Sequence, residues 1–170
     1  MPRIDAATAG GRNVLAFLDM LKVSEGTSTS PATKCDGYDV IVTGIDGKPE
    51  IFTDFSVHPF SRGRPSKVIN SRGLTSNASG GYQFMLRDYT HYRDLLKLSD
   101  FGPLSQDRWA IQLIRERGAF ADVQAGRIAV AINKCRNIWA SLPGAGYGQR
   151  ENTLDSLLAV FRRAGGVIAL

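Results

Sequence analysis

A chain of 170 residues is long enough to bury a full core without metal or disulfide support, and it is read as one domain over 1–170. Its 21 Lys and Arg against 16 Asp and Glu leave a net charge of +5, which favours anionic partners (nucleic acid, phospholipid or an acidic polymer) without choosing among them. Two cysteines far apart in sequence and only two histidines give no metal-ligand spacing, so free thiols are expected and a zinc site is not.

Met1 to Arg12 holds no apolar run of signal-peptide length, and no later stretch is long enough to span a membrane, so a soluble protein made in a cytoplasm is expected. Val14, Phe17, Leu18 and Leu21 then follow the 3.6-residue period and predict an amphipathic helix over Asn13 to Thr27. The same stripe continues onto Glu25, and Gly26 is a natural stop. A carboxyl that extends a core-facing stripe at the negative end of a helix dipole has its pKa raised on both counts. Such a group suits general acid work near neutral pH. The competing reading is a solvated residue at a frayed helix end.

Tyr38 to Thr43 and Glu50 to Thr53, joined through Asp46-Gly47, predict a small β-hairpin. Of its carboxylates, Asp36 and Asp46 read as turn formers, and Asp54, flanked by Phe52 and Phe55, as a substrate contact. Ser56 to Ser79 reads as one long basic loop. Within it Arg62-Gly63-Arg64-Pro65 is similar to the core of an AT-hook, though such hooks usually lie in disordered tails.

Ser79-Gly80-Gly81-Tyr82-Gln83-Phe84 reads as glycines opening into a helix that runs on through Met85, Tyr89, Tyr92 and Leu96. Tyr82 and Gln83 there could donate to sugar hydroxyls, against the plainer reading of a helix start with core tyrosines. Further helices are expected over Ser105 to Arg117, Ala119 to Ala125 and Ile128 to Ala140, the last burying Cys135 as an inert thiol. Ser141 to Gln149 is glycine-rich but follows a helix and lacks the Gly-Lys-Ser/Thr ending of a phosphate loop. It reads instead as a groove lip carrying Tyr147 and Gln149. Thr153 to Ala164 is the last helix.

Taken together, Phe17 to Leu21, Ser24-Glu25-Gly26-Thr27, Gly37 to Val42, Phe52-Thr53-Asp54, Gly80 with Tyr82-Gln83, Ser105-Gln106-Asp107 and Asn137 through Gln149 resemble the endolysins of lambda-like phages. The blocks recur in order from about Val14 to Gly166. The resemblance implies an α+β, lysozyme-like fold, mostly helical with a small antiparallel hairpin beside the active-site cleft. It also implies lytic transglycosylase activity on peptidoglycan glycan strands. Glu25 would be the acid/base, and Tyr82, Gln83, Tyr147 and Gln149 would line the glycan cleft. No metal or organic cofactor, nucleic acid or stable membrane association is implied. A monomer that accumulates in the host cytoplasm and reaches the wall through a membrane pore is expected. Met1 to Arg12 exceeds the family pattern, and the motifs leave its order open.

The residues themselves offer one well-placed glutamate and no comparable second carboxylate, whereas a retaining glycosidase needs one about 5 to 5.5 Å from the acid. That asymmetry favours intramolecular attack by the muramyl C6 hydroxyl over attack by water. The alternatives are a hydrolytic muramidase, with Asp54 or Asp39 holding a water, and more distantly a DNA-binding protein using the Arg62 to Pro65 loop.

Overall fold

The computed structural model describes residues 3–146, 148 and 151–169. In chain order its elements are α1 (Ala6–Ala9), α2 (Arg12–Ser24), β1 (Val40–Ile41), β2 (Glu50–Ile51), β3 (Lys67–Val68), β4 (Thr75–Ser76), α3 (Leu86–Leu96), α4 (Pro103–Glu116), α5 (Phe120–Gln124), α6 (Ile128–Cys135) and α7 (Leu154–Arg163). The chain divides into two compact units, one of Gly26–Gln106 and one of Arg3–Glu25 with residues 107–169.

The first unit holds the strands. β1 and β2 pair antiparallel, Val40 opposite Ile51 and Ile41 opposite Glu50, as the hairpin pattern predicts. The stretch expected as one long loop carries a second hairpin, with Lys67 opposite Ser76 and Val68 opposite Thr75. Asn70 closes it: its Oδ1 accepts from the Arg72 and Leu74 amides, both at 3.0 Å. Two-residue polar strands are too short to show an alternating pattern.

Ser79 to Phe84 is not a helix start. Ser79 and Phe84 exchange backbone hydrogen bonds of 3.0 and 2.9 Å around a tight turn. Gly80 (φ +80°) and Gln83 (φ +53°) are left-handed there, and α3 begins only at Leu86. Gln106 braces the turn: its Oε1 accepts from the Gly81 amide at 2.8 Å, and its Nε2 donates to the Tyr38 and Phe101 carbonyls at 2.9 and 2.8 Å. An apolar cluster of Phe60, Tyr89 and Phe101 surrounds the buried ring of His58. His58 Nδ1 accepts from the Phe60 amide and Nε2 donates to the Phe84 carbonyl at 3.0 Å, so the ring is neutral, and burial pushes its pKa down to about 4.

In the second unit α2 packs against α1, α5 and α7, and α6 packs against α5 and α7. The helix is buried beyond the predicted stripe, since Ala16, Met20, Lys22 and Ser24 join Val14, Phe17, Leu18 and Leu21 out of solvent. It is a central helix and not a half-exposed one. Lys22 lies 3.4 Å from Asp19, which also pairs with Arg3 at 2.6 Å. The Asp107 carboxylate accepts from the Ile4 amide at 3.0 Å. With Ile4 and Ala9 buried, these bonds tie the N-terminal extension down, and Asp5 caps its helix through the Thr8 amide. Helix α6 ends at Cys135, short of the expected Ala140, and Trp139 and Leu142 are buried in the turns that follow. Among the described residues no helix is long and apolar enough to cross a membrane.

Candidate active site

Glu25 is the C-cap of α2, its amide bonded to the Leu21 carbonyl at 2.9 Å. The core-facing period therefore delivers a carboxyl to the end of a buried helix, and the residue is itself half-buried. Its Oε1 accepts the Ser141 hydroxyl at 2.5 Å. Burial pushes the Glu25 pKa up from 4.5 to about 7, and Ser141 acts in the opposite direction without cancelling it. Behind this pair, Ser24 Oγ lies 2.7 Å from Ser141 Oγ. Asn152 Nδ2 reaches the Ser24 carbonyl and Ser24 Oγ at 3.1 Å and the Ser141 carbonyl at 3.2 Å. The Glu151 carboxylate, next to Asn152, accepts from the Gly144 and Gly146 amides at 2.8 and 2.7 Å.

Ser141 and Asn152 were not among the predicted site residues. They stand 116 and 128 positions from the residues they serve, and no local spacing announces such a contact.

The remaining predicted residues belong to the first unit or lie outside the described residues. Tyr147 and Gln149 are of the latter kind. Gln83 is half-buried in the left-handed position of its turn, its Nε2 donating to the Gly80 carbonyl at 3.1 Å. Tyr82 is 1% exposed, with its ring beside those of Tyr38 and Phe84. It packs inside the fold and presents no open face on which a sugar could stack.

Asp54 is exposed and paired with Arg62 at 2.9 Å, and its Oδ1 accepts the Ser56 amide. It borders a hollow of about 300 Å³ whose lining includes Phe52, Val57, Pro59 and Arg64. Asp39 is buried, and its carboxylate accepts the Thr33 hydroxyl at 2.5 Å and the Lys34 amide at 2.8 Å. Both arginines of the AT-hook-like stretch are engaged within the chain. Arg62 binds Asp54, while Arg64 binds Glu50 and lies over the Phe60 ring. Among the described residues no cluster of His, Cys, Asp and Glu is arranged to hold a metal.

This arrangement, a buried helix that ends in a carboxyl of raised pKa, has close relatives. The chain is 67% identical over 158 residues to the endolysin of Escherichia phage P2, covering 93% of this chain and 96% of that protein. It is 50% identical over 154 residues to the endolysin of Escherichia phage lambda, covering 90% and 91%. In structure it matches bacteriophage lambda lysozyme complexed with a chitohexasaccharide, at a TM-score of 0.84 and 46% identity over 99% of this chain and all of that one. The α+β architecture is thus lysozyme-like. The Endolysin family model matches residues 15–168, from the second turn of α2 to the C-terminal tail, and the chain belongs to the endolysin family.

Proposed function

We propose that this endolysin degrades bacterial peptidoglycan as a lytic transglycosylase, with Glu25 as its single acid/base. Protonated Glu25 gives its proton to the oxygen between N-acetylmuramic acid and N-acetylglucosamine, and the muramyl C1–O bond breaks. The muramyl C6 hydroxyl then attacks C1, and its proton passes to the Glu25 carboxylate, which returns the enzyme to its starting state. The product carries a 1,6-anhydromuramyl end, and no water is consumed. A pKa of about 7 suits a group that must first give a proton and then take one at the same pH. The glycan in the lambda lysozyme structure supports a sugar polymer as substrate. Gln83 and Asp54 are proposed as glycan contacts, with Tyr82 supporting the Gly80 to Gln83 turn from beneath.

The observation that carries this reading is what the Glu25 carboxyl is bonded to. Its hydrogen-bond partner is a serine, and the two aspartates that would serve a hydrolase have their carboxylates engaged, Asp39 by Thr33 and Lys34, Asp54 by Ser56 and Arg62. A positive net charge favours association with a wall whose stem peptides carry carboxylates. Mass spectrometry of muropeptides released from purified peptidoglycan tests the mechanism. Products one water lighter than hydrolytic ones, with no reducible muramic end, are expected; reducing ends would establish a muramidase instead. Glu25→Gln is expected to lower the rate by about 10²- to 10⁴-fold with the fold intact.

A further inference from the structure

We propose that Asn152 and Ser24 are positioning residues, which orient the Ser141 hydroxyl as a one-way hydrogen-bond donor to Glu25. The Ser24 and Ser141 carbonyl oxygens can only accept, so the side-chain atom of Asn152 that meets them is its NH₂ group. The same NH₂ lies 3.1 Å from Ser24 Oγ, and its two hydrogens are shared among the three oxygens, so at that contact Ser24 Oγ can only accept. Ser141 gives its single proton to Glu25, so in the 2.7 Å contact between the two serine hydroxyls Ser24 is the donor. Ser141 in turn donates to Glu25 Oε1 at 2.5 Å. Every hydrogen bond in the row points towards the carboxyl, and an amide that cannot accept at that atom sets the direction.

Two consequences follow for the chemistry. The proton of neutral Glu25 is held on Oε2, since Oε1 receives the Ser141 hydroxyl. When Glu25 loses that proton, the row already points at the new charge and nothing has to turn.

Lys22, three residues back on α2, is paired with Asp19, and Glu151, beside Asn152, is held by the Gly144 and Gly146 amides. Among the described residues, the influences on the Glu25 carboxyl are its burial and Ser141.

The inference rests on the proposed role of Glu25, but its test does not need activity. The protein is labelled with ¹³C at glutamate carboxyls and titrated by NMR, with the Glu25 signal assigned by its loss in Glu25→Gln. Ser141→Ala is expected to raise the Glu25 midpoint by about one pH unit. Asn152→Ala and Ser24→Ala are expected to raise it by roughly half as much, and Ser141→Thr, which keeps the hydroxyl, to leave it in place. If Asn152→Ala fails to fold, Ser24→Ala makes the same measurement by removing the middle hydroxyl alone. A midpoint that moves in Ser141→Ala and stays within about 0.2 unit of the parent in Asn152→Ala and Ser24→Ala would overturn the inference. An unmoved midpoint in Ser141→Ala would overturn it too. An active Glu25→Gln would defeat the proposed function and leave the titration result standing.

Discussion

Replacing Glu25 by glutamine should stabilise the protein at neutral and alkaline pH, because the folded state keeps this carboxyl in a place that disfavours its charge. Its pKa is 4.5 in an unstructured chain and about 7 in the fold. Between those values the folded state binds more protons than the unfolded state, so stability falls as pH rises through the window and levels off above it. A shift of this size corresponds to about 3 kcal/mol, and somewhat less for a half-buried group. Glutamine keeps the shape and an oxygen to accept from Ser141, and it carries no charge at any pH.

Urea unfolding of parent and variant from pH 4 to pH 9 provides the assay. The two should coincide near pH 4 and separate by about 2 to 3 kcal/mol above pH 8, the variant being the more stable. The comparison also removes His58 from the result. That ring, with its pKa pushed down to about 4, costs stability as pH falls below 6.5, and it does so equally in both proteins. Parallel curves across the whole range would refute the claim that burial governs Glu25.

Gln106→Leu leaves the Gly81 amide and the Tyr38 and Phe101 carbonyls without their buried partner, and it should cost about 3 kcal/mol or more in urea unfolding. Cys135 lies in the core with its thiol pushed up to about 12, so at pH 8 it should resist alkylation in the native state while half-buried Cys35 reacts sooner; mass spectrometry of timed iodoacetamide samples reads both. Asp39→Ala removes the acceptor of Thr33 and Lys34 and should lower stability by about 1 to 3 kcal/mol, yet spare glycan cleavage assayed well below the melting temperature. A 10²-fold loss of activity in that folded variant would support the muramidase reading.

The place of Glu25 at the end of a buried helix was legible because helical periodicity is a local property: Val14, Phe17, Leu18 and Leu21 point to the face on which the next member must lie. The first hairpin was legible for a similar reason, in a β-branched run followed by Asp46-Gly47. The errors arose where tertiary bonds override local preference. Ser79 to Phe84 looks like a helix entry, but its turn is fastened by Gln106, more than twenty residues on, and by the exchange of hydrogen bonds between Ser79 and Phe84. The burial of Tyr82 has the same origin. Ser141 and Asn152 were invisible because a hydrogen bond between residues more than a hundred positions apart leaves no spacing to read.

The unit that contains Glu25 is discontinuous in the chain. Its first segment stops at Glu25, and the rest begins at Asp107, beyond the whole of the other unit. During synthesis the Glu25 carboxyl is therefore made early, while Ser141 and Asn152 arrive more than a hundred residues later. Until α5 and α7 have left the ribosome, α2 lacks them as packing partners, and Glu25 lacks Ser141. A nascent chain, or one that terminates before α7, thus carries Glu25 without the packing that buries it and raises its pKa.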